Sequence, residues 1–206
     1  FIIQNRDDGE ILKSFNIANS EKIRLIRGAG VSVKDFFPKQ VQHEIPLVIL
    51  PARMLWDKGV EDFVNCAQRC ISNKVSVRFA LIGNPDLHNP ESIPEAQLKK
   101  WVKLGIVEWW GEQENMLQIY HMADVVCFPS YHEGLPKALL EASSCELPIV
   151  SYDVSGCREI VKDNVNGFIV PFKDENALFV AVLELLEDPK LRRKMGKIGR
   201  KIVIEE

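Results

Sequence analysis

Short apolar runs alternate with amphipathic segments along the chain, and this alternation restricts the possible folds more than any single motif. Strand-like runs occupy residues 1–4, 23–26, 47–52, 75–82, 106–110, 125–128, 149–152 and 168–170. Helical patterns occupy residues 9–15, 59–72, 95–104, 116–121, 136–145, 158–161, 176–186 and 190–203. Strands that alternate with helices in this way build a parallel sheet with helices on both faces, an α/β fold of the Rossmann-like type. Such open sheets bind ligands at the carboxyl ends of their strands. Arg53, Gly83, Gly111 and the segment 130–133 each follow a strand-like run, so residues far apart in the chain are expected along one rim. The Pro- and Asn-containing stretch 84–94 is expected to be a surface loop.

With 206 residues, 46% of them apolar, the chain can bury a core of its own, and residues 1–206 fit a single domain. The formal net charge is −3, with 26 basic and 29 acidic residues scattered along the sequence. That balance argues against a nucleic-acid partner, which demands a basic face. The cysteines, Cys66, Cys70, Cys127, Cys145 and Cys157, are odd in number and sit in apolar or helical runs, which points to a reducing cytoplasm and not to a disulfide framework. Cys66 and Cys70 can share a helical face but lack the further Cys or His of a zinc site, so no metal is expected. No apolar run reaches transmembrane length. The chain opens at Phe1 in a strand-like run and stops at Glu206 inside a helical pattern, as expected of a fragment.

The segment Glu133-Gly-Leu-Pro-Lys-Ala-Leu-Leu-Glu141 carries the strongest chemical signal. Pro136 suits the first position of a helix, and the residues from Lys137 onward are good helix formers. The turn at Gly134, Leu135 and Pro136 would then present unpaired backbone N–H groups at the positive end of a helix dipole, which is an anion site. At 1.5 Å per helical residue the two glutamates lie at most about 12 Å apart, the scale of a sugar nucleotide. Carboxylates accept hydroxyl hydrogen bonds and suit both the hexose and the ribose end. By themselves, two glutamates at this spacing are ordinarily two solvated carboxylates.

Other residues extend the site. Arg53 and Lys58 would flank a βα turn, with Lys58 and Gly59 opening the next helix, an arrangement suited to neutralising a pyrophosphate. Trp109 and Trp110 point to opposite faces of a strand, one toward the core and the other toward the pocket, or both into the core. Gly28 and Gly30 make a loop near an interdomain cleft or a simple turn. They do not complete a Gly-x-Gly-x-x-Gly fingerprint, which disfavours a nicotinamide enzyme. His132 adjoins Glu133 but shares no ligand spacing with His43, His88 or His121, and reads as a loop histidine.

Residues 129–171, together with Ala52-Arg53-Met-Leu-Trp-Asp-Lys58-Gly59, resemble the donor-binding domain of family 4 glycosyltransferases, retaining enzymes of the GT-B fold with a Glu-x7-Glu signature. The resemblance implies that this chain is the C-terminal half of such an enzyme, lacking the N-terminal acceptor domain. It implies that Glu133 contacts the transferred sugar, that Glu141 binds the ribose, and that Arg53 and Lys58 bind the diphosphate. Backbone groups of Gly134, Leu135, Pro136 and Lys137 would hold the phosphate or sugar, while the role of the Lys137 side chain stays open. Gly83 and the apolar pair ending at Trp110 would line the nucleoside end. Glu146 departs from the family, in which a glycine is common before Leu-Pro.

The implied reaction transfers a hexose from a nucleoside-diphosphate sugar, a UDP-sugar in preference to a GDP-sugar, to an acceptor hydroxyl with retention. No cofactor is implied. The acceptor would be a sugar or lipid-linked glycan in bacterial polysaccharide or glycolipid synthesis, with the full protein cytoplasmic and held at the inner membrane face through the missing domain. The fragment alone is expected to bind without transferring. The alternative is a non-catalytic nucleotide-binding module of the same fold, against which the intact Arg53, Lys58, Glu133 and Glu141 argue.

Overall fold

The computed structural model describes residues 1–26, 28, 30–39 and 43–205; Glu206, at the end of the last helical pattern, lies outside them. The elements run β1 (Ile2–Ile3), α1 (Arg6–Ser14), β2 (Arg24–Leu25), β3 (Leu47–Pro51), α2 (Val60–Ser72), β4 (Arg78–Ile82), α3 (Glu95–Lys103), β5 (Glu108–Gly111), α4 (Met116–Met122), β6 (Val125–Phe128), α5 (Lys137–Ser144), β7 (Ile149–Tyr152), α6 (Ser155–Ile160), β8 (Gly167–Val170), α7 (Glu175–Glu187) and α8 (Pro189–Glu205). Strands β3 to β8 form one six-stranded sheet in the order β5-β4-β3-β6-β7-β8. Every pairing in it is parallel, with Val48 of β3 seated between Phe79 and Val125.

The central strands show why the sheet has two covers. All residues of β3, β6 and β7 are buried, and successive side chains of a strand point to opposite faces, so both faces are packed. Helix α2 packs against α7, and α5 against α8. Local chemistry sets the helix starts. Asp174 caps α7 by accepting from the Ala177 N–H, and Asn5 caps α1 by accepting from the Asp8 N–H. That second cap starts α1 at Arg6, ahead of the expected residue 9.

The runs at 1–4 and 23–26 do form parallel strands, but they pair only with each other in a separate two-stranded sheet. Apolar periodicity identifies a strand without saying which sheet it joins. The stretch 84–94 is a loop as expected, although its end is pinned: Leu55 bridges Ser92, and Ile93 is fully buried. Glu146 has a left-handed φ of 62°, which accounts for the glycine common at that position in the resembling family.

Candidate functional site

The strand order reverses direction between β3 and β6. In an open parallel sheet the loops leaving the carboxyl ends of two such strands diverge and leave a crevice between them. Here the loop after β3 carries Arg53 and Lys58, and the loop after β6 carries Ser130 to Leu135 on the way into α5.

Backbone contacts too close for side chains stitch these loops together. Gly59 has a φ of 65°, and a Cβ there would fall 1.9 Å from the Pro129 carbonyl oxygen. A Cβ on Gly83 would fall 2.1 Å from the Ala52 carbonyl oxygen, so the loops after β3 and β4 are equally tight. The Tyr131 N–H donates to the Asp57 carbonyl at 2.8 Å. Beneath this junction the hydroxyls of Tyr131 and Tyr152 both donate to Asp62 Oδ2, at 3.1 and 2.9 Å. Burial first, and then the Asp62 charge, push both phenols up, so they stay protonated donors.

Glu133 lies at the centre of the junction. Its Oε1 accepts from Lys58 Nζ at 2.8 Å and from Ser130 Oγ at 2.8 Å. Lys58 Nζ also donates to the His132 carbonyl at 3.3 Å. Both charged side chains are largely withdrawn from solvent, with 16% of Lys58 and 14% of Glu133 exposed. His132 thus contributes its carbonyl here.

The Gly134 turn is held from behind. A Cβ on Gly156 of α6 would meet the Gly134 carbonyl oxygen at 2.5 Å, and a Cβ on Gly134 would meet Gln4 Oε1 at 2.3 Å. Pro136 sits one position earlier than expected, as the cap before Lys137, with the Leu139 N–H bonded to its carbonyl at 3.0 Å. Among the described residues, nothing accepts from the N–H groups of Gly134, Leu135, Lys137 or Ala138. The helix start is therefore a set of aligned donors. The Leu135 side chain lines a small apolar groove with Leu140 and Ile160.

A cleft of about 600 Å³ opens beside the same helix, lined by Arg53, Gly83, Asn84, Gln113, Ala138 and Glu141 among others. Arg53 is 59% exposed at its rim and pairs with Asp86 at 2.8 Å. Glu141, buried within α5, accepts from the Tyr120 hydroxyl at 3.0 Å through Oε2 and pairs with Lys137 at 3.2 Å through Oε1. Burial and then the Glu141 charge push the Tyr120 hydroxyl well up, which keeps it a donor to that carboxylate. Lys58, Glu133 and the Gly134 to Pro136 turn do not line this cleft; they flank the α5 start outside it.

Both tryptophans pack half-buried against the core, as the second of the two readings expected, and each indole N–H is engaged. Trp109 Nε1 donates to the Gly83 carbonyl at 2.8 Å, bracing the loop after β4. Trp110 Nε1 donates to Glu108 at 2.9 Å, and the Arg78 guanidinium lies 6.0 Å from its ring centroid. The Trp110 indole thereby engages the starts of β4 and β5, while its carbonyl accepts from Gln113 of the cleft at 2.6 Å. Tyr120, Asn84 and Gln113 were not singled out from the sequence. Tyr120 reads there as one more apolar position of α4, with nothing to signal its hydroxyl. Among the described residues, no group of three or more His, Cys, Asp or Glu side chains could hold a metal ion.

A parallel sheet in this order, with its polar residues gathered at the reversal, is the doubly wound Rossmann-like arrangement, the form also taken by the C-terminal domain of GT-B glycosyltransferases. Solved structures of that type superpose on it: sucrose-phosphate synthase from Thermosynechococcus elongatus with a TM-score of 0.85 at 24% identity, covering 99% of this chain and 53% of that one. Anabaena HepE, solved in complex with UDP-glucose, gives a TM-score of 0.85 at 17% identity, covering 99% of this chain and 58% of that one. The chain belongs to the glycosyl transferases group 1 family, whose model matches residues 32–202. Its relatives include the Campylobacter jejuni N,N'-diacetylbacillosaminyl-diphospho-undecaprenol alpha-1,3-N-acetylgalactosaminyltransferase, 30% identical over 96% of this chain and 54% of the relative. The capsular polysaccharide biosynthesis glycosyltransferase CapM of Staphylococcus aureus is 27% identical over 73% of this chain and 39% of its own. The chain therefore spans about half the length of such relatives or less.

Proposed function

We propose that this chain is the donor-binding part of a retaining glycosyltransferase that moves a hexose from a nucleoside-diphosphate sugar, UDP-linked in preference to GDP-linked, to an acceptor hydroxyl. The observation that carries the reading is the Lys58–Glu133 pair, 2.8 Å apart beside the donor N–H groups at the start of α5. A leaving diphosphate develops negative charge on its bridging oxygen, and prearranged cations and backbone N–H groups stabilise that charge without reorganising. Lys58, Arg53 and the α5 start supply them, with no cofactor. Glu133 orients Lys58 and faces the transferred sugar; Glu141, held by Tyr120, binds the ribose in the adjoining cleft. Departure through an oxocarbenium-like state with attack on the same face gives retention.

The acceptor is a lipid-linked sugar, a reading supported by the Campylobacter relative, whose name specifies a diphospho-undecaprenol substrate. An acceptor-side domain completes the active site at the inner face of a membrane. The two-stranded β1–β2 sheet stands apart from the main sheet and precedes the matched family segment, with Ile2 72% and Leu25 40% exposed, which supports a contact between this edge and that domain.

A thermal-shift panel of UDP, GDP, ADP and their sugars tests the reading. A ligand at a hundred times its dissociation constant adds about 2.7 kcal/mol of stability. UDP is expected to raise Tm, without sugar transfer by this chain alone. No shift with any diphosphate at millimolar concentration overturns the donor assignment, and transfer by the chain alone overturns the need for a second domain.

A further inference from the structure

Charge is not scattered on α8. The helix runs from Pro189 to Glu205 and holds no acidic residue before Glu205. Lys190, Arg193, Lys194, Lys197 and Lys201 are all exposed. At 100° per residue they fall within an arc of about 100°, a basic stripe roughly 16 Å long. Arg192 and Arg200 turn inward instead, donating to the Leu185 and Phe36 carbonyls at 2.8 and 3.1 Å. Acids engage both ends of the stripe, Glu205 at 3.7 Å from Lys201 and Asp188 accepting from the Lys190 N–H at 2.8 Å, while among the described residues no acid pairs with Arg193, Lys194 or Lys197. In a chain of net charge −3, a positive face of this length, met by acids only at its ends, is segregated from the rest of the surface.

The stripe borders a cavity of about 350 Å³ lined by Lys39, His121, Arg193 and Lys197 with the acids Asp124 and Glu146; Tyr120 separates it from the donor cleft and lines both. Apolar side chains stand beside it. Phe37 is 45% exposed, with its ring 5.3 Å from that of His121, and Met122, next in α4, is 43% exposed. Cations arranged along one helix face, with an exposed aromatic and a methionine at the edge, match a surface that is anionic outside and apolar just beneath.

We propose that this face of α8, with Phe37 and Met122, docks onto an anionic phospholipid bilayer. The membrane contact would then be made by the donor-binding part as well as by any acceptor-side domain. The charge argument stands alone; the choice of a bilayer over other polyanions rests on the lipid-linked acceptor proposed above.

Co-sedimentation of the chain with vesicles tests this. Binding is expected to phosphatidylcholine vesicles containing about a third phosphatidylglycerol, with none to pure phosphatidylcholine and with release at high salt. Replacing Lys194, Lys197 and Lys201 together by Gln should lower the partition coefficient roughly a hundredfold, at about fivefold for each basic residue near an anionic surface. The matching triple Lys→Arg variant should bind as the unaltered chain does. Equal binding to both vesicle types, no binding to either, or an unchanged triple Gln variant overturns the proposal. Capture of a DNA duplex at the same salt, without vesicle binding, assigns the stripe to nucleic acid instead. The UDP-induced Tm shift, read on the same samples, separates the two readings: its presence without vesicle binding refutes the docking face alone, and its absence with vesicle binding refutes the donor site alone.

Discussion

The carboxamide nitrogen of Asn5 donates to the Gly134 carbonyl at 3.0 Å, joining residues 129 positions apart in the chain. Asn5 is fully buried, and its oxygen simultaneously caps α1 through the Asp8 N–H at 2.8 Å. One side chain therefore sets the start of α1 and the back of the turn that opens α5. Asn5→Ala removes the cap and leaves the Gly134 carbonyl without this donor, at an expected cost of about 1–3 kcal/mol of stability. Because the turn can then relax, UDP should also bind several-fold more weakly. Denaturation and calorimetric titration of one preparation check both. Lower stability with unchanged UDP affinity would show that α6 alone holds the turn.

Gly59 and Gly105 offer a matched comparison. Both have left-handed φ, 65° and 70°, but a Cβ on Gly59 meets the Pro129 carbonyl oxygen at 1.9 Å while one on Gly105 meets nothing within 4 Å. Gly105→Ala should cost only the left-handed strain, about 1–2 kcal/mol. Gly59→Ala adds a backbone clash at the junction of the two site loops and should cost at least about twice that, with loss of UDP binding. Urea unfolding of both variants decides; equal costs would mean that the loops part freely.

Much of this was legible in the sequence because the physics is local. Buried parallel strands such as Leu47–Pro51 are continuous apolar runs, and a carboxyl-end rim follows from their alternation with helices. The Glu133 to Glu141 segment announced itself through turn and helix chemistry. What stayed hidden depends on long-range pairing. Nothing near Asp62 in the sequence says that Tyr131 and Tyr152 will donate to it, and nothing near Lys58 names Glu133 as its partner. The separate β1–β2 sheet escaped for the same reason. The α8 stripe was readable from helical spacing, but a whole-chain charge count averages it away.

Arg53 and Lys58 should respond differently to removal. Arg53 is 59% exposed and paired with Asp86 at the cleft rim, so Arg53→Ala should leave stability unchanged and weaken diphosphate binding by about 1.5–3 kcal/mol. Lys58→Ala should weaken binding similarly and also lower Tm, because Glu133 loses its cation while 14% exposed. EDTA should change neither result. Strict magnesium dependence of UDP affinity would refute phosphate binding by these cations alone.

Alkali should unfold the protein early. Burial raises the thiols of Cys145 and Cys157 from 9.0 to about 12. A buried acid with a raised pKa stabilises the fold fully below the unfolded value and loses that contribution as pH rises toward the folded one. Stability should thus be level up to about pH 8.5 and fall above pH 9, by on the order of 1 kcal/mol per thiol at pH 10. Cys157→Ala should lessen the decline by one thiol's share, leaving that of Cys145. Tm measured across this range tests it, and a level profile to pH 10.5 would show that these thiols ionise as easily in the fold as out of it.

The two glutamates of the signature segment should separate by ligand. Glu141 is anchored by Tyr120 at 3.0 Å inside the cleft, and Glu133 is anchored by Lys58 and Ser130 at 2.8 Å beside the α5 start. Glu141→Ala should weaken free UDP and UDP-sugar alike, by about 1.5–3 kcal/mol, because a ribose contact is lost in both. Glu133→Ala frees Lys58 from its counter-ion, so free UDP should bind as well as before or slightly better, while the sugar nucleotide loses the contact to its hexose. Glu133→Gln keeps the shape without the charge and should fall between. Calorimetric titration of each variant with both ligands distinguishes the roles. Equal losses of free UDP affinity in Glu133→Ala and Glu141→Ala would mean that both carboxylates serve the nucleoside end, and that the hexose is held elsewhere.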